Sequence, residues 1–413
     1  MDKIELLAPA GDLQKLKFAI MYGADAVYIG GQIFGLRASA KNFSLEDMKL
    51  GIEFAHERGK RVFLVLNIIP HNKDLKLLEE YLTNVRDIGL DAVILSDPGT
   101  FLFVKEHLPQ MEIHLSTQAN NTNFMSARFW HQQGIKRVIL ARELSFDEMA
   151  EMVENSPEDL EYEAFIHGAM CISYSGRCLL SNYMADRDAN RGACSHPCRW
   201  KYFLVEQTRP NEYYPVVEDD DGTFFFNSKD LCMIEYIPEL INSGLSSLKI
   251  EGRMKSVYYV ANIVRAYREA IDLYYRDPEK FEYNPQWLAD IKKASHREFT
   301  SGFYIKKPDK NDQLYASSSY VREFDFTGII LDYDPQTKLA TIEQRNRLFL
   351  GDEVEVMGPD YFEHKFKITK MYDNNMNPID VAPHAQQIIK IKIDAPVQEY
   401  FIIRKEREVG IIV

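Results

Sequence analysis

The chain has 413 residues, 46% of them hydrophobic, and a formal net charge of −13. That length predicts two or three domains with sizeable cores, and the charge excludes nucleic-acid binding through overall electrostatics, so any RNA contact has to come from a local basic patch. Met1-Asp2-Lys3 leads straight into a strand-like run, and no stretch of about 18 apolar residues occurs, which points to a cytoplasmic protein with neither a signal region nor a membrane span.

A glycine followed by a short β-branched run recurs at residues 23–30, 89–96, 134–141 and 244–251. The glycine suits the position just past a helix, where positive φ is needed. The run after it suits a strand buried on both faces. Helix-period stretches lie between, such as 12–21 with Asp12 as N-cap. Strand-like runs fall at 4–7, 26–29, 62–66, 92–95, 112–115, 137–140, 163–166 and 247–250. Eight strands alternating with helices predict an α/β fold, a parallel (β/α)8 TIM-like barrel over residues 1–255. The competing open doubly wound sheet lacks a Gly-x-Gly-x-x-Gly turn after its first strand.

The stretch 167–243, between the seventh and eighth strands, is too long for one helix and holds all five cysteines. An insertion there lies on the C-terminal face, where barrel enzymes keep their active sites. Within it, 201–207 and 223–227 read as a hairpin around the acidic turn 218–222, itself a solvated loop. In the segment 256–320, Val257, Val260, Ala261, Val264, Tyr267 and Ile271 fall at helical spacing and should pack on the barrel. Asn284-Pro285 reads as the cap and first position of another helix. From residue 321 to 413 the pattern changes to period-2 alternation, with strands expected at 326–331, 339–343, 353–357, 365–369 and 389–393, which predicts a small antiparallel β-barrel. Residues 349–356 resemble part of the barrel found as the second domain of translation GTPases, which implies either RNA contact or a purely structural appendage.

Four of the five cysteines, Cys171, Cys178, Cys194 and Cys198, follow one another at intervals of 7, 16 and 4. Four thiolates can close a tetrahedral Zn²⁺ site or hold a [4Fe–4S] cluster. The spacing does not separate the two: there is no Cys-x-x-Cys knuckle and no three-cysteine loop of the radical SAM kind. Cys232 stands apart, and the set is not a disulfide scaffold. Polar residues at the expected C-terminal ends of strands should face one site: Asn67, Asp97, Ser116, Thr117, Gln118, Arg142, Glu143, His167, Glu251 and Arg253. Each alone reads equally as a cap or loop hydrogen bonder. Arg142 and Arg253 suit a carboxylate or phosphate clamp. Glu163, His167, Arg142 and Glu251 are the catalytic candidates, His167 and Glu163 because they lie just before Cys171. For Glu163, inward-pointing within a strand, the alternative is an ion pair with Arg or Lys inside the barrel. Asn67, Gln118, Arg142, Arg253, Arg191 and Arg199 are the candidates for holding substrate. Arg187, Arg191, Arg199 and Lys201 interleave with Tyr174, Tyr183, Trp200 and Tyr202. That composition either grips single-stranded RNA by phosphate contact and stacking or neutralises thiolate charge. No proteolytic motif is visible: His56-Glu57 continues as Arg58-Gly59-Lys60 rather than as a zinc-binding His-Glu-x-x-His, and no Gly-x-Ser-x-Gly elbow or phosphate loop occurs.

Residues 163–171 (Glu-Ala-Phe-Ile-His-Gly-Ala-Met-Cys) and 176–181 (Gly-Arg-Cys-Leu-Leu-Ser) resemble the defining stretch of the peptidase U-32, or collagenase-like, family, with every fixed position met. Residues 5–11, 249–253 and 295–303 and the final small barrel resemble it too, so the likeness spans essentially the whole chain. The family name implies proteolysis. Its better-understood members are oxygen-independent hydroxylation proteins that bind a [4Fe–4S] cluster and modify tRNA wobble uridine, a ribosomal RNA cytidine or a ubiquinone precursor. The chain is most similar to the tRNA uridine 5-hydroxylation branch, in which prephenate is implicated as oxygen donor. The resemblance implies cluster ligation by Cys171, Cys178, Cys194 and Cys198, a dicarboxylate such as prephenate on Arg142 and Arg253, tRNA as macromolecular partner, and a paralogous partner protein as in some relatives. The alternatives are a U-32 peptidase with zinc and an RNA-binding protein with structural zinc.

Overall fold

The eight expected strands close on themselves. In the computed structural model, β1 (Glu5–Ala10), β2 (Ala26–Gly30), β3 (Arg61–Leu66), β4 (Ala92–Leu95), β5 (Glu112–Leu115), β6 (Arg137–Ile139), β7 (Glu161–Ala169) and β8 (Ser247–Ile250) pair in parallel in chain order, and β8 pairs with both β7 and β1. The structure describes residues 3–34, 42–170, 180–185, 187, 194–195, 217–219, 222–224, 229–306 and 321–407. The glycines that announce β2, β4, β6 and β8 (Gly23, Gly89, Gly134 and Gly244) all have φ between 80° and 107°, so each ends a helix in the left-handed region and turns the chain into a strand. Asp12 caps the first helix, its carboxylate accepting from the Lys15 amide at 2.9 Å.

The strand Asp230–Cys232 returns from the insertion and runs antiparallel to the last part of β7, with Cys232 opposite His167 and Asp230 opposite Ala169. Its other edge is covered in parallel by Phe299–Thr300. The insertion's hairpin differs from expectation. Val217–Asp219 pairs with Gly222–Phe224, so Glu218 and Asp219 belong to a strand and only residues 220–221 lie between the two arms, as a two-residue connection favours. Residues 201–207 lie outside the described residues.

The helix Val257–Arg276 buries Val257, Val260, Ala261, Val264, Tyr267 and Ile271 against the barrel, and Asn284 caps the helix Pro285–Lys293. Beyond it, β9 (Phe324–Asp334), β10 (Leu339–Gln344), β11 (Glu353–Met357), β12 (Glu363–Lys367), β13 (Met371–Asp373), β14 (Ile388–Lys392) and β15 (Ile402–Glu406) form one antiparallel sheet in the order β12-β11-β15-β9-β10-β14-β13. The edge strands β12 and β13 do not pair among the described residues, so the expected small barrel is a sheet curled into a half-barrel. The two domains lock through charge. Arg404 of β15, fully buried, donates to Glu355 at 2.9 Å, Glu363 at 2.9 Å and Asn262 at 3.2 Å, and Arg265 of the long helix donates to Glu363 at 2.8 Å. The Tyr22 hydroxyl lies 3.1 Å from the Met357 carbonyl and 3.0 Å from that of Tyr400. Arg404→Ala strands these carboxylates, and a loss of about 3–5 kcal/mol is expected in chemical denaturation.

Candidate active site at the barrel mouth

Inward-pointing side chains fill the lower barrel with charge. Glu163 of β7 is fully buried; the Lys249 ammonium of β8 donates to it at 2.7 Å and the Arg137 guanidinium of β6 at 3.2 Å. Arg137 also donates to Glu161 at 2.8 Å and to Glu5 at 2.5 Å. Burial pushes the Glu163 carboxyl up, but Lys249 and Arg137 outweigh it and hold it below the usual carboxylate range. Burial pulls the Lys249 ammonium down, with Arg137 adding to the fall and Glu163 opposing it. Glu163 therefore forms the barrel-interior ion pair rather than standing at the mouth with the other candidates.

His167 also departs from the expected placement. The pairing of β7 with β8 shifts register between Lys249 and Ile250, opposite Phe165 and His167. Beyond this irregularity the imidazole sits under the long helix, ring centroids 6.0 Å from Tyr259, 5.7 Å from Tyr267 and 5.7 Å from Phe299. Its Nδ1 is 3.4 Å from the Tyr267 hydroxyl, which donates to the Ile166 carbonyl at 2.9 Å. Burial, helped by Lys255 and His296, pushes the His167 pKa down to about 3. The ring is neutral at pH 7 and is placed to hold β7 in position, not to carry protons at the mouth. Unfolding frees it to protonate near its ordinary pKa of about 6.5, so its stabilising effect is complete above that pH and falls by about 1.4 kcal/mol per pH unit toward its folded pKa. Proton uptake on unfolding at pH 5 is expected to drop by roughly one in His167→Phe, measured from the pH dependence of denaturant unfolding.

Above the ion cluster lies an aromatic floor. Lys249 Nζ is 4.6 Å from the Tyr28 ring centroid and 5.4 Å from that of Phe165. The Arg142 guanidinium lies 4.0 Å over the Phe165 ring and donates through Nη1 to the Ala169 carbonyl at 2.6 Å. Arg142 is buried, its Nε has no hydrogen-bond partner, and among the described residues no carboxylate forms an ion pair with it. Its neighbour Glu143 is half-buried, and burial raises its carboxyl pKa. Across the mouth, Arg253 is buried and donates to Asn42 at 3.2 Å. Its guanidinium lies so close to Gly30 that a Cβ there would sit 2.5 Å from Nη2, so a side chain at that position has to displace the arginine. Gln118 is buried beside Ser116, whose hydroxyl donates to it at 3.5 Å. Asn67 and Glu251 are half-buried, and the Glu251 amide donates to the His167 carbonyl at 2.9 Å. Asp97 instead caps the helix Pro98–His107, accepting from the Thr100 amide at 2.8 Å. Sequence reasoning missed Tyr28, Phe165 and Lys249; the alternation Glu163, Phe165 along one strand face was the available signal.

The same end of the barrel leads into the cysteine segment: β7 ends at Ala169, and Met170, the residue before Cys171, is buried. Cys171, Cys178, Cys198, Arg191 and Arg199 lie outside the described residues; Cys194 is half-buried. Burial pushes the Cys232 thiol up to about 12, which keeps it protonated. The donor set of Cys171, Cys178, Cys194 and Cys198 fits a four-thiolate centre, and Ser181, three residues after Cys178, contacts Ser195, the residue after Cys194, at 2.9 Å.

Residues 11–314 match the sequence profile of peptidase family U32, and residues 322–404 match that of the peptidase family U32 C-terminal domain. The chain is 43% identical over 403 residues to tRNA hydroxylation protein P1 of Bacillus subtilis (strain 168), spanning 98% of this chain and 95% of that protein. It is 39% identical over 404 residues to tRNA hydroxylation protein P of Escherichia coli (strain K12), spanning 87% of each. It is 40% identical over 370 residues to an uncharacterized protease of Methanocaldococcus jannaschii, spanning 87% of this chain and 88% of that protein. With the cysteine-bearing insertion and most of the barrel and half-barrel inside the two profile matches, the chain belongs to peptidase family U32.

Proposed function

We propose that the chain is an RNA-modifying enzyme that hydroxylates tRNA, converting the wobble uridine to 5-hydroxyuridine without molecular oxygen, with a [4Fe–4S] cluster on Cys171, Cys178, Cys194 and Cys198 and prephenate as oxygen donor. The likeness to the two tRNA hydroxylation proteins supports the reaction class. The observation that carries the reading is Arg142, a buried guanidinium that forms no ion pair with a carboxylate among the described residues, at the mouth where β7 runs toward Cys171. A buried cation is costly until an anion meets it, and a carboxylate of the donor supplies one. Arg253 offers the second carboxylate a partner, while Phe165 and Tyr28 wall the floor. A uridine swung out of its stack reaches the same opening. The net change replaces the uracil C5–H bond by C5–OH, a two-electron oxidation balanced by reduction of the donor that gives up its hydroxyl oxygen. When bound, the cluster supplies electron transfer.

Nucleoside analysis of tRNA from a deletion strain lacking its paralogues tests this. Loss of 5-hydroxyuridine-derived nucleosides is expected, restored by the wild type and not by Cys194→Ala; unchanged levels overturn it. Anaerobically purified protein is expected to hold about four iron and four sulfide per chain. The name of the M. jannaschii relative favours a second reading, a peptidase, but four thiolates leave zinc no open position for water. Gelatin cleavage by pure protein, abolished by a chelator, decides for that reading.

A further inference from the structure

The cysteines come from separate stretches of chain, and the structure shows a tie between Ser181 and Ser195, the residue after Cys194. Ser181 lies in the helix Leu180–Ala185 and is fully buried. Its hydroxyl accepts a hydrogen bond from the Ser195 amide at 3.0 Å and lies 2.9 Å from the Ser195 hydroxyl, across 14 residues of chain. The Arg187 amide donates back to the Ser181 carbonyl at 3.1 Å, so the turn after the helix is tied at the same point. Ser181 follows Cys178 by three residues, and Ser195 directly follows Cys194.

We infer that Ser181 is a positioning residue for the thiolate centre: its hydroxyl clips the loop that separates Cys178 from Cys194 and fixes Cys194 before any metal arrives. The inference rests on the four-cysteine centre proposed above. Closing a loop of this length costs conformational entropy that the metal–thiolate bonds otherwise have to offset. A clip already in place leaves the ligands preorganised. Alanine leaves a buried amide without an acceptor, while Ser195→Ala removes only the side-chain contact and keeps the amide bond to Ser181. The residue's place at the end of the cysteine motif thus has a physical reason that ligation alone does not give.

The test uses full-length, metal-free protein and reads iodoacetamide modification of Cys194 by peptide mass mapping, alongside anaerobic iron and sulfide content. Ser181→Ala is expected to raise the modification rate of Cys194 about tenfold, the effect of losing one buried hydrogen bond, and to speed iron loss to a chelator. Ser195→Ala is expected to stay near the wild-type rate. The isosteric pair Ser181→Thr and Ser181→Val makes the same comparison if the alanine variant loses its fold, with the hydroxyl-bearing member the protected one. Equal Cys194 rates with and without the hydroxyl overturn the inference. Absence of iron and sulfide from the wild-type protein overturns the redox function while the modification rates still decide the clip.

Discussion

Arg142→Ala is expected to lower kcat/KM for tRNA hydroxylation by roughly tenfold to a hundredfold, the loss of one charge-assisted contact worth about 1.5–3 kcal/mol, with no loss of thermal stability. The two halves of that result separate binding from structure. Among the described residues, Arg142 makes a backbone hydrogen bond to Ala169 and a stacking contact with Phe165. Against these stands the cost of burying a guanidinium that forms no ion pair among the described residues, so removing it leaves stability unchanged or raised. If its role is to hold a carboxylate of the oxygen donor, KM for the donor rises more than KM for tRNA. Arg142→Lys keeps the charge but not the planar fork and is expected to recover only part of the loss. A variant that unfolds at lower temperature yet turns over normally shows that Arg142 merely ties Ala169 in place.

Glu163→Ala is expected to cost about 3–5 kcal/mol of folding stability, because it leaves Lys249 and Arg137 buried side by side without their shared carboxylate. Glu163→Gln keeps the shape and one acceptor and should cost less. The pH dependence has a definite sign. Lys249 and Arg137 depress the carboxyl in the folded state, so its contribution is complete above the ordinary carboxylate pKa of about 4.3 and is lost as pH falls toward the lower folded value. Glu112 shares that behaviour: burial raises its carboxyl, but His114 and Arg61 outweigh it and bring the pKa to about 2. Denaturant midpoints between pH 7 and 3 should therefore fall steeply in the wild type and less steeply in Glu163→Gln. Identical slopes rule out an ionised Glu163.

The barrel was legible because each buried strand is announced by the same local event, a glycine that ends a helix and an apolar run that follows. The half-barrel was legible only in part. Ile402, Ile403 and Arg404 are consecutive and all buried, so β15 shows no alternation; its arginine is inside because the interdomain carboxylates are there to receive it. Closure of that sheet depends on whether its edge strands meet, which period-2 patterning does not encode. His167 was misplaced for a similar reason. Alternation along β7 points it inward with Glu163 and Phe165, and the register shift against β8 overrides that count. The arginines of the mouth were readable as strand-end residues, but their contrast was not: Arg253 reaches Asn42, whereas Arg142 is left with a carbonyl and a ring. Three of the four clustered cysteines lie outside the described residues, while Cys232 is buried beside the Tyr267 hydroxyl.

The seam of the barrel also sets an order of assembly. β1 is made before the other strands of the barrel, yet its partner β8 follows 242 residues later, as the Ser247 hydroxyl bond to Glu5 measures. Until then both β1 and β7 present an open edge. The whole cysteine segment is synthesised inside that interval, after β7 and before the strand that completes the ring. Contacts this distant in sequence form late. The nascent chain thus passes through a stage in which the thiols are already made while the cylinder is still open, so delivery of the proposed metal centre competes in time with closure of the fold. Slow emergence of residues 199–246 lengthens the window for delivery, and a shortened insertion narrows it.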